Sequence, residues 1–168
     1  IAIAYHWPNI SLSHGFDHLF GQNPLRLRDF FAATGVGDTV AVPDQRTFAP
    51  LYPSYHSVFA DLFGVRFIAT GVPVEAIDRN LRPGDLPLIA RTKDAFVYEN
   101  PHALPRAMFV GGARVADFSR MLREGWPADV DPRVTVLLDH LPQSAAEAAD
   151  AHGTVRILRY TNTEVVVE

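Results

Sequence analysis

The stretch from Val97 to Val110 constrains the fold most, because its residue types indicate a strand, a turn and a second strand in close succession. Phe96–Tyr98 are β-forming residues. The Asn-Pro pair at positions 100 and 101 favours a turn, since a proline disfavours the α conformation of the residue before it. Leu104–Val110 is a second apolar run entered through Pro105, and a proline without an N–H fits the start or the edge of a strand. We therefore predict one short strand on each side of this turn.

An earlier segment predicts a helix that passes into a strand through a single glycine. Ser54 is placed to act as the N-cap. The apolar residues that follow have the spacing of one helical face, and they are Tyr55, Val58, Phe59, Leu62 and Phe63. Gly64 ends this predicted helix, and Val65–Thr70 follows as a strand. Asp61 falls on the opposite, outer flank, from which it can pair with Arg66.

The remaining elements are short and are separated by prolines and glycines. Two further helices are predicted. One begins with Pro24 at its first position and runs to Thr34, with Gly35 as its stop, and the other runs from Val115 to Leu122, with Gly125 as its stop. The other predicted strands are two within Leu88–Glu99 around a turn at 92–94, one at Arg133–Leu138, and a hairpin of Val155–Tyr160 with Glu164–Val167.

These elements together predict an α+β fold. We expect a mixed, mainly antiparallel β-sheet with about three helices packed on it, because hairpin-connected strands segregate from helices in such folds. The 168 residues suit a single domain spanning residues 1–168. A hydrophobic content of 48% is typical of a globular chain. The last predicted strand, Glu164–Val167, runs into the end of the chain, so we expect that the sheet has lost strands at this end.

Charge and cysteine content exclude several classes of function. The formal net charge is −4, Lys93 is the single lysine, and no run of basic residues occurs, which argues against a nucleic-acid partner. The chain has no cysteine, so disulfides and cysteine-ligated metals are excluded. No segment approaches the roughly 18 apolar residues that suggest a membrane-spanning helix. Because the chain begins with Ile1 rather than methionine, we expect it to be a fragment or a processed product.

The densest set of potential metal ligands is His14, Asp17 and His18, with His6 upstream. On a helix the histidines at 14 and 18 would share one face, since four residues make about one turn. Gly15 weakens such a helix, and the pair lacks the glutamate that follows the first histidine in zinc-protease motifs. We therefore favour ordinary loop histidines over a metal site, and we predict no cofactor.

Tyr98, Glu99, Asn100 and Arg106 form the best candidate ligand-binding set, because they cluster around the predicted turn. Aromatic rings pack on the C–H faces of sugars, and planar polar side chains make bidentate hydrogen bonds. A structural interpretation competes with this one and is favoured: Asn100 shapes the turn, Glu99 and Arg106 bridge across it, and Tyr98 packs inward.

Four segments of the chain resemble, in the same order, the extracytoplasmic C-terminal part of the YfhO-type bacterial membrane proteins. They are Gly21–Leu27 (GQNPLRL), Ala60–Thr70 (ADLFGVRFIAT), Tyr98–Phe109 (YENPHALPRAMF) and the hairpin at Val155–Val167. Gln22 departs from the pattern, since tyrosine is more frequent there. The long array of membrane helices expected upstream and the Pro-Gly-Trp turn expected downstream are not part of this sequence.

The resemblance implies a soluble domain at the periplasmic or extracytoplasmic face of the inner membrane, cut from a polytopic membrane protein. The family resembles membrane glycosyltransferases that transfer a sugar from a lipid-linked donor to cell-envelope polymers. In such enzymes the catalytic acids lie among the membrane helices, so we expect this piece to be accessory and not catalytic alone. The implied partners are the membrane-embedded part of the same chain and a glycan or lipid-linked sugar.

Two other classes of function stay open at this point. A free-standing binding or protein-interaction module predicts a compact hydrophobic or charged patch, whereas the sugar-transfer hypothesis predicts a shallow groove lined by Tyr, Trp and Arg. A small hydrolase would need a deep pocket with a perturbed histidine, but no G-x-S-x-G motif is present.

Overall fold

The computed structural model describes residue 19 and residues 27–35, 46–141, 153–161 and 163–168. The helices in these ranges are α1 Arg28–Thr34, α2 Val58–Leu62 and α3 Phe118–Glu124, with a 3-10 turn at Val74–Ala76. The strands in these ranges are β1 Phe67–Thr70, β2 Leu88–Arg91, β3 Phe96–Glu99, β4 Gly112–Val115, β5 Thr135–Leu138, β6 Ile157–Tyr160 and β7 Val165–Val167. The predicted α+β class is confirmed.

The described strands form three small sheets rather than one continuous sheet. β1, β3 and β2 form an antiparallel sheet with β3 in the centre, and β6 and β7 form an antiparallel hairpin. β4 and β5 pair in parallel through the crossover helix α3, so this part of the chain is a β-α-β unit. A parallel pair needs such a crossover because a tight turn cannot join parallel strands.

The predicted hairpins and the glycine-terminated helices are present. The β2–β3 hairpin closes with the Thr92 N–H donating to the Ala95 carbonyl at 2.8 Å. Helix α1 ends at Gly35, which has the left-handed φ of 70° and donates its N–H to the Phe31 carbonyl. Residues 24–26, where this helix was predicted to begin, lie outside the described residues.

The junction between α2 and β1 forms as predicted, and its geometry explains the glycine. Gly64 has a φ of 61° and donates its N–H to the Asp61 carbonyl at 3.0 Å. The Val65 N–H donates to the Ala60 carbonyl at 2.9 Å. These two bonds form a Schellman motif, which gives hydrogen-bond donors to carbonyls of the last helical turn that have no partner within the helix. The chain then leads within three residues into Phe67, the first residue of β1.

The prediction of a strand over Leu104–Val110 is wrong. Proline at 105 has no N–H, and the Leu104 N–H donates to the Asp61 carbonyl at 2.8 Å, so the backbone here is bound by the end of a helix instead of a strand. The next strand is β4, which begins at Gly112 and includes Val115, a residue predicted to belong to the following helix. Gly112 allows the close pairing with β5, because a Cβ there would lie 3.0 Å from the Val134 carbonyl oxygen.

The N-cap of α2 is Ser57 and not Ser54. The Ser57 hydroxyl oxygen accepts the Ala60 N–H at 3.4 Å. The Ser54 hydroxyl instead donates to Asp78 Oδ2 at 2.7 Å, a contact with a residue 24 positions away that sequence spacing does not show. Helix α2 is therefore only five residues long.

An aromatic core joins the helices to the three-stranded sheet. Tyr52 and Phe59 have ring centroids 5.0 Å apart, and Tyr52 and Tyr55 are 6.2 Å apart. The buried cluster consists of Ala33, Leu51, Tyr52, Tyr55, Phe59, Ala60, Val65, Ile68, Val74, Leu81, Leu86, Tyr98 and Met121. Burial of such large rings is the main source of stabilisation in a domain of this size. No helix within the described ranges is long and apolar enough to cross a bilayer.

Gly64→Ala is expected to lower the free energy of unfolding by about 1–2 kcal/mol, since a Cβ is disfavoured at positive φ. The added Cβ would also lie 3.3 Å from the Leu104 carbonyl oxygen. The matched control is Gly71→Ala, where the nearest atom is 4.0 Å from the added Cβ, and we expect a change of less than about 0.5 kcal/mol. Urea denaturation measures both; equal losses for the two variants would contradict the Schellman assignment.

Candidate functional site

Asn100 brings the two central segments of the sequence together. Its Nδ2 donates to Asp61 Oδ1 at 2.8 Å, and its own N–H donates to the Arg66 carbonyl at 2.7 Å. Its Oδ1 accepts the His102 N–H at 3.0 Å, which shapes the turn after β3. Asn100 is 1% exposed, and its hydrogen bond to Asp61 is buried. We call the contact between residues 61–66 and 99–104 the Asp61–Asn100 corner.

The expected exposed pair of Asp61 and Arg66 is wrong. Asp61 is buried, with 8% of its surface exposed, because the turn after β3 covers the helix flank on which it lies. Its backbone carbonyl also accepts the Leu104 N–H, so both its side chain and its backbone hold the turn. Arg66 pairs instead with Glu99, at 3.1 Å between Nε and Oε1.

The rings of His56 and His102 add a second contact at the same corner. They are stacked with centroids 5.3 Å apart and an interplanar angle of 15°. One ring precedes helix α2 and the other follows Asn100, so the pair links the same two segments from the exposed side.

The four predicted ligand-binding residues do not share one surface. Tyr98 points inward, and its hydroxyl oxygen accepts the Val74 N–H at 3.2 Å. Asn100 is buried with it, whereas Glu99 lies half-buried in its pair with Arg66. Arg106 is exposed, with its guanidinium carbon 4.7 Å from the centroid of the Tyr160 ring. The expected bridge between Glu99 and Arg106 is therefore replaced by two separate contacts.

The candidate metal ligands His14, Asp17 and His18, with His6, lie outside the described residues. Within the part of the chain that the structure describes, no group of three or more His, Asp or Glu side chains is arranged to hold a metal ion.

A second buried polar cluster surrounds Arg46, which sequence reasoning did not single out. Its Nε donates to the Tyr55 hydroxyl oxygen at 3.3 Å, and Nη1 donates to the carbonyls of Thr34 and Thr47. Its guanidinium carbon lies 4.1 Å from the centroid of the Phe48 ring, which is cation–π geometry. Arg46 is 6% exposed and so joins α1 to the aromatic core from within.

Asp78 is a fully buried carboxylate that organises the loop before α2. Its Oδ2 accepts the Ser54 hydroxyl and the Tyr55 N–H at 2.7 and 2.8 Å. Its Oδ1 accepts the Asn80 N–H at 3.1 Å. A buried charge needs such donors, because a carboxylate without them carries a large desolvation penalty.

Burial raises the pKa of both Tyr52 and Tyr55, and the nearby Arg46 guanidinium offsets only part of this effect. Both phenols are therefore neutral over the physiological range. The Tyr52 hydroxyl is close enough to the Arg46 guanidinium for its pKa to be affected, but it makes no hydrogen bond of normal geometry with a described residue, whereas that of Tyr55 accepts from Arg46. Neutral, enclosed phenols of this kind stabilise a core and do not act as bases.

The described structure contains an apolar cavity of about 530 Å³. It lies between α1, α2, α3 and β5, and its lining consists of Asp29, Phe30, Ala33, Leu51, Phe59, Leu62, Phe63, Met108, Val110, Ala116, Phe118, Met121, Trp126, Pro132, Thr135, Val136, Leu137, Leu138 and Asp139. Among its described residues the lining contains Trp126 but neither Tyr nor Arg, so it differs from the shallow Tyr, Trp and Arg groove that the sugar-transfer hypothesis predicts.

The sequence carries only a faint signal of this cavity. Phe118 and Met121 fall three residues apart on the predicted helix, and Met108 and Val110 fall in the run that was predicted to be a strand. Each looks like an ordinary core residue, because the opening exists only where four separate elements meet.

Comparison of this chain with protein-family models, with curated proteins and with solved structures finds no match.

Asn100→Ala is expected to lower the free energy of unfolding by about 2–4 kcal/mol, because it leaves the buried Asp61 carboxylate without its donor. The control is Glu99→Gln, which alters only an ion pair with an exposed arginine and should change stability by less than about 1 kcal/mol. Urea denaturation at neutral pH measures both. Equal small effects would show that the corner does not hold the fold.

Tyr52→Phe and Tyr55→Phe are expected to behave differently at neutral pH. Loss of the Tyr52 hydroxyl should change stability by less than about 0.5 kcal/mol, whereas loss of the Tyr55 hydroxyl, which accepts from Arg46, should cost about 1–2 kcal/mol.

The same variants test the pH dependence. Because the folded pKa of Tyr52 is raised, the unfolded state releases a proton above about pH 10 that the folded state keeps, so stability falls as the pH rises past that value. Tyr52→Phe should therefore lose less stability than the parent chain between about pH 9 and pH 11. Urea denaturation across this range decides; identical pH profiles would contradict burial of the neutral phenol.

Proposed function

We propose that this chain is an accessory, non-catalytic domain at the extracytoplasmic face of a YfhO-like polytopic membrane protein. There it supports transfer of a sugar from a lipid-linked donor to a cell-envelope acceptor, by positioning one of the two for the membrane-embedded part of the same protein. The chemistry itself belongs to the membrane-embedded part under this proposal.

The observation that supports this proposal is the role of the residues that carry the resemblance. Two of the family-like segments, Ala60–Thr70 and Tyr98–Phe109, meet at the Asp61–Asn100 corner although these two residues are 39 positions apart. Asp61 and Asn100 use their side chains in a buried hydrogen bond that builds the fold. Shared residues of this kind are those that an accessory domain would need, because they preserve a shape rather than a reaction.

Exposed apolar side chains on the described strands support a partner surface. On the β6–β7 hairpin, large hydrophobic residues are 37–51% exposed, and they are Ile157, Leu158, Tyr160, Val165 and Val167. Monomeric proteins rarely leave several such side chains together in water. The membrane-embedded part of the same protein is the partner that the proposal assigns to this surface.

The same surface favours a second candidate, a protein-interaction module with no role in sugar chemistry. Such a module needs an apolar patch and no groove for a sugar. The two candidates differ in what fails when the domain is removed, because only the first predicts a change in envelope sugars.

The test is deletion of the codons for residues 1–168 from the parent gene, followed by analysis of the sugar content of the envelope polymers. We expect the sugar substitution to be lost while the remainder of the protein stays in the membrane fraction at its normal level. The control is the parent gene with Glu99→Gln, which leaves the hydrogen bond between Asn100 and Asp61 intact and should retain the sugars.

Unchanged envelope sugars after deletion would overturn the sugar-transfer proposal. If the parent protein also proved to be soluble, the membrane assignment would be wrong and the interaction module would be the better account. Crosslinking at Leu158, an exposed apolar position of the hairpin, would then identify the partner.

A further inference from the structure

The apolar cavity between α1, α2, α3 and β5 has features of a ligand site that the proposed function does not use. Its volume of about 530 Å³ falls within the range of sites for small molecules, about 300–1,000 Å³. Rings from three helices line it, including Phe30 of α1, Phe59 of α2 and Phe118 of α3. An apolar group that enters would displace water from these surfaces, which is the main driving force for binding in such pockets.

The charged side chains of the lining are both acidic. Asp29 belongs to the first turn of α1 and Asp139 follows the last residue of β5, and no Lys or Arg is among the described residues of the lining. Both carboxylates are largely in solvent, so they stand at the open side of the cavity and not in its interior.

We propose that this cavity binds a small amphiphile with an aliphatic body and a positively charged head. The aliphatic body occupies the apolar interior, and the head lies in solvent near Asp29 and Asp139. Opposite charges in solvent attract only weakly, and both carboxylates are largely exposed, so the acids supply selectivity between ligands more than affinity.

The neighbouring cations do not reverse this preference. Arg28 lies 3.9 Å from Asp29, and His140 lies 2.7 Å from Asp139, and all four side chains are more than two-thirds exposed. Exposed ion pairs are weak and are readily exchanged for another cation. A ligand ammonium group held at the mouth by its aliphatic body has a high local concentration and competes with these side chains.

This inference does not depend on the proposed function. A lipid-linked sugar donor whose head carries phosphate would meet two carboxylates at this mouth, and like charges disfavour binding. The site therefore belongs to a ligand other than an anionic donor. The result of the domain deletion therefore does not decide whether the cavity binds a ligand. Likewise, the result of the binding test does not decide whether the domain supports sugar transfer.

Trp126 provides a reporter inside the cavity wall. Its Nε1 donates to the Val130 carbonyl at 2.8 Å, which fixes the indole in place. The chain contains two tryptophans, and the other is Trp7, so Trp7→Phe gives a background in which the emission comes from Trp126 alone.

The test titrates this background variant with three probes that share a ten-carbon chain: decyltrimethylammonium, decanol and decanoate. We expect a saturable change in Trp126 emission below the micelle concentration. Affinity should fall in the order cation, alcohol, anion, with about a tenfold difference between the cation and the anion at low salt. Salt should reduce this difference, since screening weakens interactions between exposed charges.

Two variants separate the charge from the cavity. Asp29→Asn with Asp139→Asn should abolish the preference for the cation and leave decanol binding unchanged. The matched control is Glu164→Gln with Glu168→Gln, which removes the same charge from the β6–β7 hairpin, whose described residues are not part of the cavity lining, and should keep the preference. Ala116→Phe, which fills the cavity, should weaken all three probes.

The proposal is overturned by any of three results: no saturable change with any probe, equal affinities for decanoate and decyltrimethylammonium, or a preference that survives in the double asparagine variant. If Ala116→Phe fails to fold by circular dichroism, the two charge variants still decide the question, because they alter only exposed side chains.

Discussion

The hydrogen bond from Asn100 to Asp61 is the interaction on which the rest of the structure depends. It joins the end of α2 to the turn after β3, and the Leu104 N–H reinforces it on the Asp61 carbonyl. Breaking it would leave a buried carboxylate without its side-chain donor, which is far more costly than losing an exposed ion pair. The central strand β3 and the helix before β1 are held in one arrangement for this reason.

The sequence was most informative where a local signal decides the conformation. Gly35 and Gly64 end their helices because only glycine adopts a left-handed φ without strain, and the hairpin at 92–95 follows from turn residues between β-formers. It was least informative where a distant contact decides. The run after Leu104 looks like a strand, but the Leu104 N–H donates to the Asp61 carbonyl, and Val115 has the spacing of the following helix although it belongs to β4.

The candidate sites follow the same division. Turn chemistry singled out Asn100, and the structure supplies its partner, Asp61, which the helical pattern had placed on an exposed flank. The buried Arg46 and Asp78 were not anticipated, because their partners lie 9 and 24 residues away and no motif records such pairings. The cavity requires four elements to meet, which periodicity along a single element does not show.

The β6–β7 hairpin differs from the core in how it gains its order. Its ladder closes within itself, with Arg156 and Glu168 exchanging both backbone hydrogen bonds, and its strands lie close together in sequence. Such a unit can open without breaking the Asp61–Asn100 contact. Its amide protons would then exchange with solvent through a local opening of low free energy, whereas the amide protons of β3 would exchange only on global unfolding. The chain would therefore behave as two cooperative units, with the weaker one carrying the exposed apolar surface.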